Sequence, residues 1–275
     1  MFISIITVVF NGGKTIERTI QSVLKQGFKD YEYIVQDGGS KDNTLDIAHS
    51  YEDKFEGRLK IYSEKDKGIY DAMNKGIAHA HGDYVWIVNA DDYLTENALE
   101  SIYSEVKEFE DCKYPIIAAG LNMVSLNTLK IKSTTFCSKD YYISHSKRYS
   151  MGVSHPSMIV PMHVYNKIGL YDDEYKISAD VDFVLRCYHS QCEFIFPKIV
   201  VSNMTDGGVS SQFSISKFYK DYCRRLDKFC PNTYIRILFK CKYLFNMMVI
   251  KMFNYLHVMD LYIKIKNTSK NHNDN

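Results

Sequence analysis

Tyr84-Val-Trp-Ile-Val-Asn-Ala-Asp-Asp92 is an apolar run that stops at two adjacent carboxylates. Residues 84–88 read as a buried strand, with Gly82 ahead of them as the stop of a preceding helix. The same grammar repeats upstream. The β-branched run 2–9 predicts a central strand, and 31–36 and 59–62 predict two more. Apolar residues at helical spacing predict helices over 14–26, 42–55, 69–81 and 95–109. Strand and helix thus alternate through the first 110 residues, which predicts an α/β fold with a mostly parallel central sheet flanked by helices. Further on, 116–120, 129–132, 153–160, 193–196 and 199–202 read as strands and 179–188 as a helix.

In such sheets ligands bind beyond the carboxyl ends of the strands, so strand ends are where chemistry is sought. Thr7-Val8-Val9-Phe10-Asn11 opens into a glycine-containing turn whose backbone suits a base or ribose, as many strand ends do. Asp37-Gly38-Gly39-Ser40 offers a carboxylate for a nucleobase N–H, or simply a tight turn with a helix cap. Ser63–Gly76, which contains Asp66, is dense in charge yet opens a helix; it reads as a cleft wall or as a solvated loop. Asp91 and Asp92 repel one another, and a divalent cation relieves that repulsion. In Ser178-Ala-Asp-Val-Asp182 the two carboxylates diverge by about 200° on a helix, so only one faces a cleft squarely. A partly desolvated carboxylate at a helix start suits a general base, and equally suits the helix dipole.

Composition narrows the class. The 275 residues are 45% hydrophobic and 24% charged, which excludes a disordered chain, a collagen-like repeat or a disulfide-stapled miniprotein. Residues 1–216 carry 22 Lys/Arg against 29 Asp/Glu, net −7, whereas the rest carries 12 Lys/Arg against 4 Asp, net +8. An acidic body repels nucleic acid, so no nucleic-acid partner is expected; the basic end suits an anionic surface. Residues 214–266 read as a helical extension broken at Pro231, and 267–275 as a disordered tail. On a wheel of 238–264, Lys240, Lys242, Asn246, Lys251, Asn254, His257, Asp260 and Lys264 share one half, leaving an apolar half for the body or for a membrane interface. Seven cysteines without a C-x-x-C pair read as reduced thiols. The N-terminal run lacks a basic leader and a cleavage site, and no stretch approaches the ~18 apolar residues of a span; the expected location is the cytoplasm.

In their order these clusters resemble the family 2 glycosyltransferases, inverting enzymes with the GT-A (nucleotide-diphospho-sugar transferase) fold. The resemblance covers Ser4 to about Ser211: Ser4–Asn11, Thr19–Gln26, Asp37–Thr44, Glu64–Gly76, Asn89-Ala-Asp-Asp92, Ser154-His-Pro-Ser157, Ser178–Asp182 and Gly207-Gly-Val-Ser210. Residues 1–213 then form the catalytic domain. The resemblance implies a UDP-sugar donor, its nucleotide held by Thr7, Val8, Asn11, Asp37, Asp66 and Asp91. It implies Mn2+ or Mg2+ on Asp92 and Asp91, and Asp180 as catalytic base. His155 and Asp182 would line the acceptor side, and Gly207 and Gly208 the loop that closes over the donor. The family's Asp-x-Asp begins here with Asn89, so its first carboxylate is missing. The local style is similar to bacterial enzymes of O-antigen, capsule or exopolysaccharide assembly. It implies a single β-linked hexose or N-acetylhexosamine added to a lipid-diphosphate-linked saccharide, at the inner face of the cytoplasmic membrane. A sugar-1-phosphate nucleotidyltransferase and a non-catalytic carbohydrate-binding relative are the rival readings. The first would carry a longer basic glycine loop after its first strand.

Overall fold

Ile3–Val9 (β1) is buried at every position, as a strand covered on both faces must be. In the computed structural model, which describes residues 2–109, 113–207 and 215–255, β1 lies between two parallel neighbours. Tyr31–Asp37 (β2) pairs on one side and Tyr84–Ile87 (β4) on the other; Leu59–Ser63 (β3) extends the sheet beyond β2. Met158–Pro161 (β9) runs antiparallel to β4, followed by Ile116–Ala118 (β6) and Phe194–Ile195 (β10). The order β10-β6-β9-β4-β1-β2-β3 makes the β1/β4 boundary the point where connections reverse direction. A smaller sheet joins Tyr93–Leu94 (β5), Val200–Thr205 (β11), Gly120–Val124 (β7) and Ile131–Thr135 (β8), in that order.

Period-two alternation along the strands divides the interior into two cores. Ile3, Ile5, Val9, Tyr33, Trp86 and Val88 point to one, where Ile16–Leu24 (α1), Thr44–His49 (α2) and Ala98–Val106 (α4) pack. Ile6, Val8, Ile34, Val85 and Ile87 point to the other, under Ile69–Ala78 (α3), Met162–Ile168 (α6) and Ala179–His189 (α7). Lys139–Ser146 (α5) adds Tyr142 to this second core. The expected α/β architecture is therefore present, as three layers.

Several boundaries differ from expectation. The helix expected over 42–55 is α2 plus a 3-10 turn, Asp53–Phe55, whose tighter pitch brings Phe55 within 5.4 Å of the Tyr33 ring. The strand expected over 116–120 ends at Ala118, and the chain crosses into the second sheet as β7. The strand expected from 153 begins as a 3-10 turn, His155–Ser157, because Pro156 has no N–H for the ladder. The helix expected from 95 starts at Ala98, since Thr95 N–H is taken by Val201 O and its hydroxyl by Val200 O, at the β11 strand that pairs Tyr93–Leu94. Among the described residues, α5, α6 and β5 have no counterpart in the sequence reading, and β7 meets it only at Gly120.

The chain divides into two compact units, residues 1–212 and 213–275. Ile215–Phe229 (α8) and Thr233–Tyr255 (α9) are the described helices of the second. Asp227 of α8 binds Lys240 Nζ at 2.8 Å and faces Arg236 at 3.7 Å, and Tyr222 stacks on Tyr243. Two basic residues of α9 are thus turned toward α8, while Tyr234, Leu238, Phe245 and Met248, at helical spacing, are exposed. No helix among the described residues is long and apolar enough to cross a membrane. Residues 256–275, with the expected tail and the end of the basic helix, lie outside the described residues.

Gly82, at the start of β4, lies against the β1 backbone: a Cβ there would sit 2.5 Å from Ser4 N and 2.7 Å from Ile3 C. Backbone cannot swing aside as a side chain does. Gly82→Ala should therefore destabilise the fold by about 1–3 kcal/mol, read by urea denaturation followed by circular dichroism.

Candidate active site

The loops that follow β1, β2, β3 and β4 all leave the same edge of the sheet, because these strands are parallel. Since β9 is antiparallel to β4, the 3-10 turn at its start opens on that edge too; Trp86 Nε1 donates to Pro156 O at 3.0 Å. Most of the singled-out residues lie there.

The first two loops are tied to each other. Asn11 adopts a left-handed backbone, φ 51°, which asparagine tolerates better than most residues. Its N–H donates to Ser40 Oγ at 2.7 Å, and its Oδ1 accepts from Lys41 N at 2.8 Å. Thr7 and Val8 turn inward: the Thr7 hydroxyl bonds Tyr33 and Val8 belongs to the second core. Neither side chain reaches the edge. Phe10 does, with 62% of its surface exposed beside Gly38. The sequence reading passed over it as the end of an apolar strand; its place one residue past β1 was the available signal.

Asp37 is fully buried, and its carboxylate accepts from Gly39 N at 2.9 Å, Ser40 N at 3.0 Å, Ser63 Oγ at 2.7 Å and the Ser40 hydroxyl. It braces the 38–40 turn and ties it to the end of β3. Asp66 is the half-buried carboxylate above it, packed so closely on Gly38 that a Cβ there would collide with it. Burial pushes the Asp66 carboxyl above its usual range, against the Gly68 N–H bonded to it, and nearby Asp71 adds to the rise.

The Asn89–Asp92 loop is held through its own carbonyls. Arg18 Nη2 donates to Asp91 O at 2.7 Å, and Thr205 Oγ1 reaches the same oxygen at 3.0 Å. Thr19 Oγ1 lies 3.0 Å from Ala90 O and 2.6 Å from Asp92 O. Asp92 points inward at 2% exposure: Oδ1 accepts from Thr205 N at 2.9 Å and Oδ2 from Asn89 Nδ2 at 3.1 Å. Burial first, then the charge of Asp91, pushes its pKa up to about 7. Burial raises Asp91 as well, but Asp91 is half-exposed and is the better presented of the pair. Asn89 Oδ1 is buried without a hydrogen-bond partner. Among the described residues no three His, Cys, Asp or Glu side chains converge on one point.

On the other side of the edge, Asp180 opens α7 half-buried; Oδ1 accepts from Val181 N at 2.8 Å and lies 3.4 Å from the Tyr70 hydroxyl. His155 Nε2 lies 3.1 Å from Tyr171 Oη, and burial lowers the histidine's pKa although the nearby Asp180 charge opposes this. Asp182, expected to line the site, is fully buried instead. One turn along α7 its carboxylate binds Arg186 Nε at 2.8 Å, and that guanidinium caps the carbonyls of Ile168, Gly169 and Leu170. Gly207 follows β11 in a left-handed conformation, φ 88°; Gly208 lies outside the described residues.

Comparison with known proteins identifies the family and the fold. The model for Glycosyl transferase family 2 matches residues 4–163. A PGL/p-HBAD biosynthesis glycosyltransferase of Mycobacterium tuberculosis is 28% identical over 222 residues, 79% of this chain and 82% of that one. An uncharacterised glycosyltransferase of the same species is 30% identical over 228 residues, 82% of this chain and 83% of its own. Among solved structures, residues 1–349 of S. aureus TarS in complex with UDP-GlcNAc align with a TM-score of 0.65 at 20% identity, covering 89% of this chain and 72% of that one. A longer TarS structure gives 0.64 and is covered over 43% of its length. The mannosyltransferase PcManGT of Pyrobaculum calidifontis, in complex with GDP-Man and Mn2+, gives 0.59 at 15% identity, with 82% of this chain and 63% of that one covered. The chain belongs to glycosyltransferase family 2 and is a glycosyltransferase with the GT-A architecture.

The raised Asp92 carboxyl has a stability consequence. The unfolded chain ionises it first, so its contribution is fully present below about pH 4 and is lost as pH rises through about 7. In Asp92→Asn that loss disappears, because an amide does not ionise, and Asn89 can turn its unpartnered oxygen toward the new NH2 to keep a hydrogen bond. In EDTA the variant should melt at or above the wild-type temperature at pH 8, and the two should converge near pH 4. Calorimetry checks this; a variant much less stable at both pH values would contradict it.

Proposed function

We propose that this glycosyltransferase moves a single hexose or N-acetylhexosamine from a UDP-sugar to a lipid-diphosphate-linked saccharide, inverting the anomeric carbon. The product would be a β-linked sugar in a bacterial surface polysaccharide of O-antigen or capsule type. The carrying observation is that the paired carboxylates after β4 and the Asp180 carboxylate at the start of α7 serve one edge of one sheet.

The donor's base would stack on the exposed Phe10 ring, beside Asp66 and above the loop that Asp37 and Asn11 brace. The residues present suit a divalent cation. Asp91 and Asp92 are adjacent carboxylates whose ionisation burial opposes, and the partnerless Asn89 oxygen adjoins them. Mn2+ and Mg2+ are commonly held by one or two carboxylates plus phosphate oxygens, which is the donor number available here. When bound, such an ion supplies positive charge to the departing diphosphate. Asp91 would be its main protein ligand, with Asp92 fixing the loop.

Asp180 acts on the acceptor. Its Oδ1 already receives Val181 N–H, which leaves Oδ2 for the acceptor hydroxyl. As that oxygen bonds to the anomeric carbon, its proton passes to Asp180 and the bond to UDP breaks on the opposite face. The transition state carries oxocarbenium character, as in glycoside hydrolysis. His155, kept neutral by burial, would line the acceptor side without adding a charge.

The test is UDP release across a panel of UDP-sugars, with a synthetic lipid-diphosphate GlcNAc or GalNAc acceptor. One donor should give release that EDTA abolishes and Mn2+ restores. Asp180→Asn should lower kcat by about 10²–10⁴-fold, the usual weight of a general base, with UDP affinity by calorimetry retained. Release that is indifferent to EDTA would remove the metal, and near-normal kcat in Asp180→Asn would remove the base.

The acceptor's lipid would be met at the cytoplasmic face of the membrane. The exposed stripe of Tyr234, Leu238, Phe245 and Met248 would enter the interface, and the net +8 charge of the C-terminal part would favour anionic headgroups. Full-length protein should float with vesicles containing phosphatidylglycerol, and Leu238→Glu/Phe245→Glu should not; equal flotation would exclude this contact.

A further inference from the structure

α3 begins where the Asp66 loop ends, and two of its side chains one turn apart hold a segment about a hundred residues further along the chain. Asn74 grips the main chain of Tyr171 at both groups: Nδ2 donates to Tyr171 O at 2.8 Å, and Oδ1 accepts from Tyr171 N at 3.0 Å. Tyr70 is buried, and its hydroxyl donates to Ile177 O at 2.5 Å. The same hydroxyl lies 3.4 Å from Asp180 Oδ1. Residues 70 and 74 share one helix face at i,i+4 spacing. The segment between their two anchor points runs straight into the start of α7.

From these contacts we infer that Tyr70 is the positioning residue of the base. It acts through Asp180 in two ways. The bond to Ile177 O fixes the main chain three residues ahead of the carboxylate. Val181 N–H binds Oδ1, and the hydroxyl oxygen, its proton given to Ile177 O, fills the space 3.4 Å from that same Oδ1, so that Oδ2 is the oxygen turned to the acceptor. Asn74 keeps the rest of the loop in register, and with it Tyr171, whose hydroxyl meets His155 and Tyr165. The helix that starts at the donor pocket therefore also sets the geometry of proton removal. This inference rests on Asp180 being the base, as proposed above.

The experiment is a double-mutant cycle on the full chain, using the donor and acceptor that give the fastest UDP release in the panel. Tyr70→Phe removes one oxygen and keeps the ring. Its kcat should fall about tenfold, because small misplacements of a reacting group are costly, with donor KM and UDP affinity unchanged. Asp180→Glu keeps a carboxylate but moves it by one methylene. In that background Tyr70→Phe should cost less than twofold, since the position it defends is already lost. Wild-type kcat in Tyr70→Phe overturns the inference. So does an equal loss in both backgrounds, or a loss that tracks UDP affinity. A Tyr70→Phe chain that does not fold by circular dichroism assigns the hydroxyl to stability and overturns it as well. Asp180→Asn with near-normal kcat overturns the base assignment itself, a result distinct from all of these.

Discussion

The Asp92 carboxylate, buried between two sheets, is the constraint on which the site depends. It belongs to the loop that leaves the large sheet after β4, and it accepts the main-chain N–H of Thr205 on β11 in the small sheet. Thr205 returns the tie through its hydroxyl to Asp91 O, and Thr19 and Arg18 of α1 hold the same loop through its carbonyls. The Asp91 side chain is therefore left over, on a main chain that cannot shift. Such an arrangement is expensive, since a buried carboxylate beside another resists ionisation. A neutral amide would satisfy the same N–H at lower cost, and the proposed role of this loop at the donor diphosphate gives the carboxylate a purpose beyond stability.

The two halves of the proposed chemistry are organised differently. On the donor side the carboxylates are woven into the turns: Asp37 is wholly consumed by the backbone and hydroxyl groups around it, and Asp66 and Asp91 remain partly presented. On the acceptor side Asp180 is presented by a helix start, and the segment before it is gripped from α3. Side chains of α3 reach both segments: Asp71 and Lys75 bond the main chain around Asp66, and Tyr70 and Asn74 bond the main chain ahead of Asp180.

Much of the architecture was legible. The runs 2–9, 31–36 and 84–88 are strands because β-branched and aromatic residues fill a sheet covered on both faces. Asn11, Asp37 and the Asp91-Asp92 pair follow them at the strand ends and in the loops beyond, where polar residues collect once the buried run stops. Legibility failed where long-range partners overrode local pattern. Residues 95–97 read as the first turn of a helix until Thr95 N–H bonds Val201 O on β11; residues 116–120 read as one strand until the chain changes sheets at Ala119. Asp182 was expected to line the site beside Asp180, and its full burial and salt bridge to Arg186 make it a structural carboxylate instead.

The sequence by itself determined the alternation of strand and helix, the family, and the short segments in which charged residues gather, because periodicity and turn chemistry are local properties of the chain. Tertiary structure decided what each of those residues does. Thr7 and Val8 face inward because strand alternation and the sheet's two cores direct them there. Phe10 is exposed because the chain has just left the sheet. Asp92 is buried and Asp91 presented because β11, more than a hundred residues later, supplies an N–H to only one of two neighbouring carboxylates. Which of two adjacent like residues is satisfied internally depends on a partner distant in sequence, and no local pattern encodes that choice.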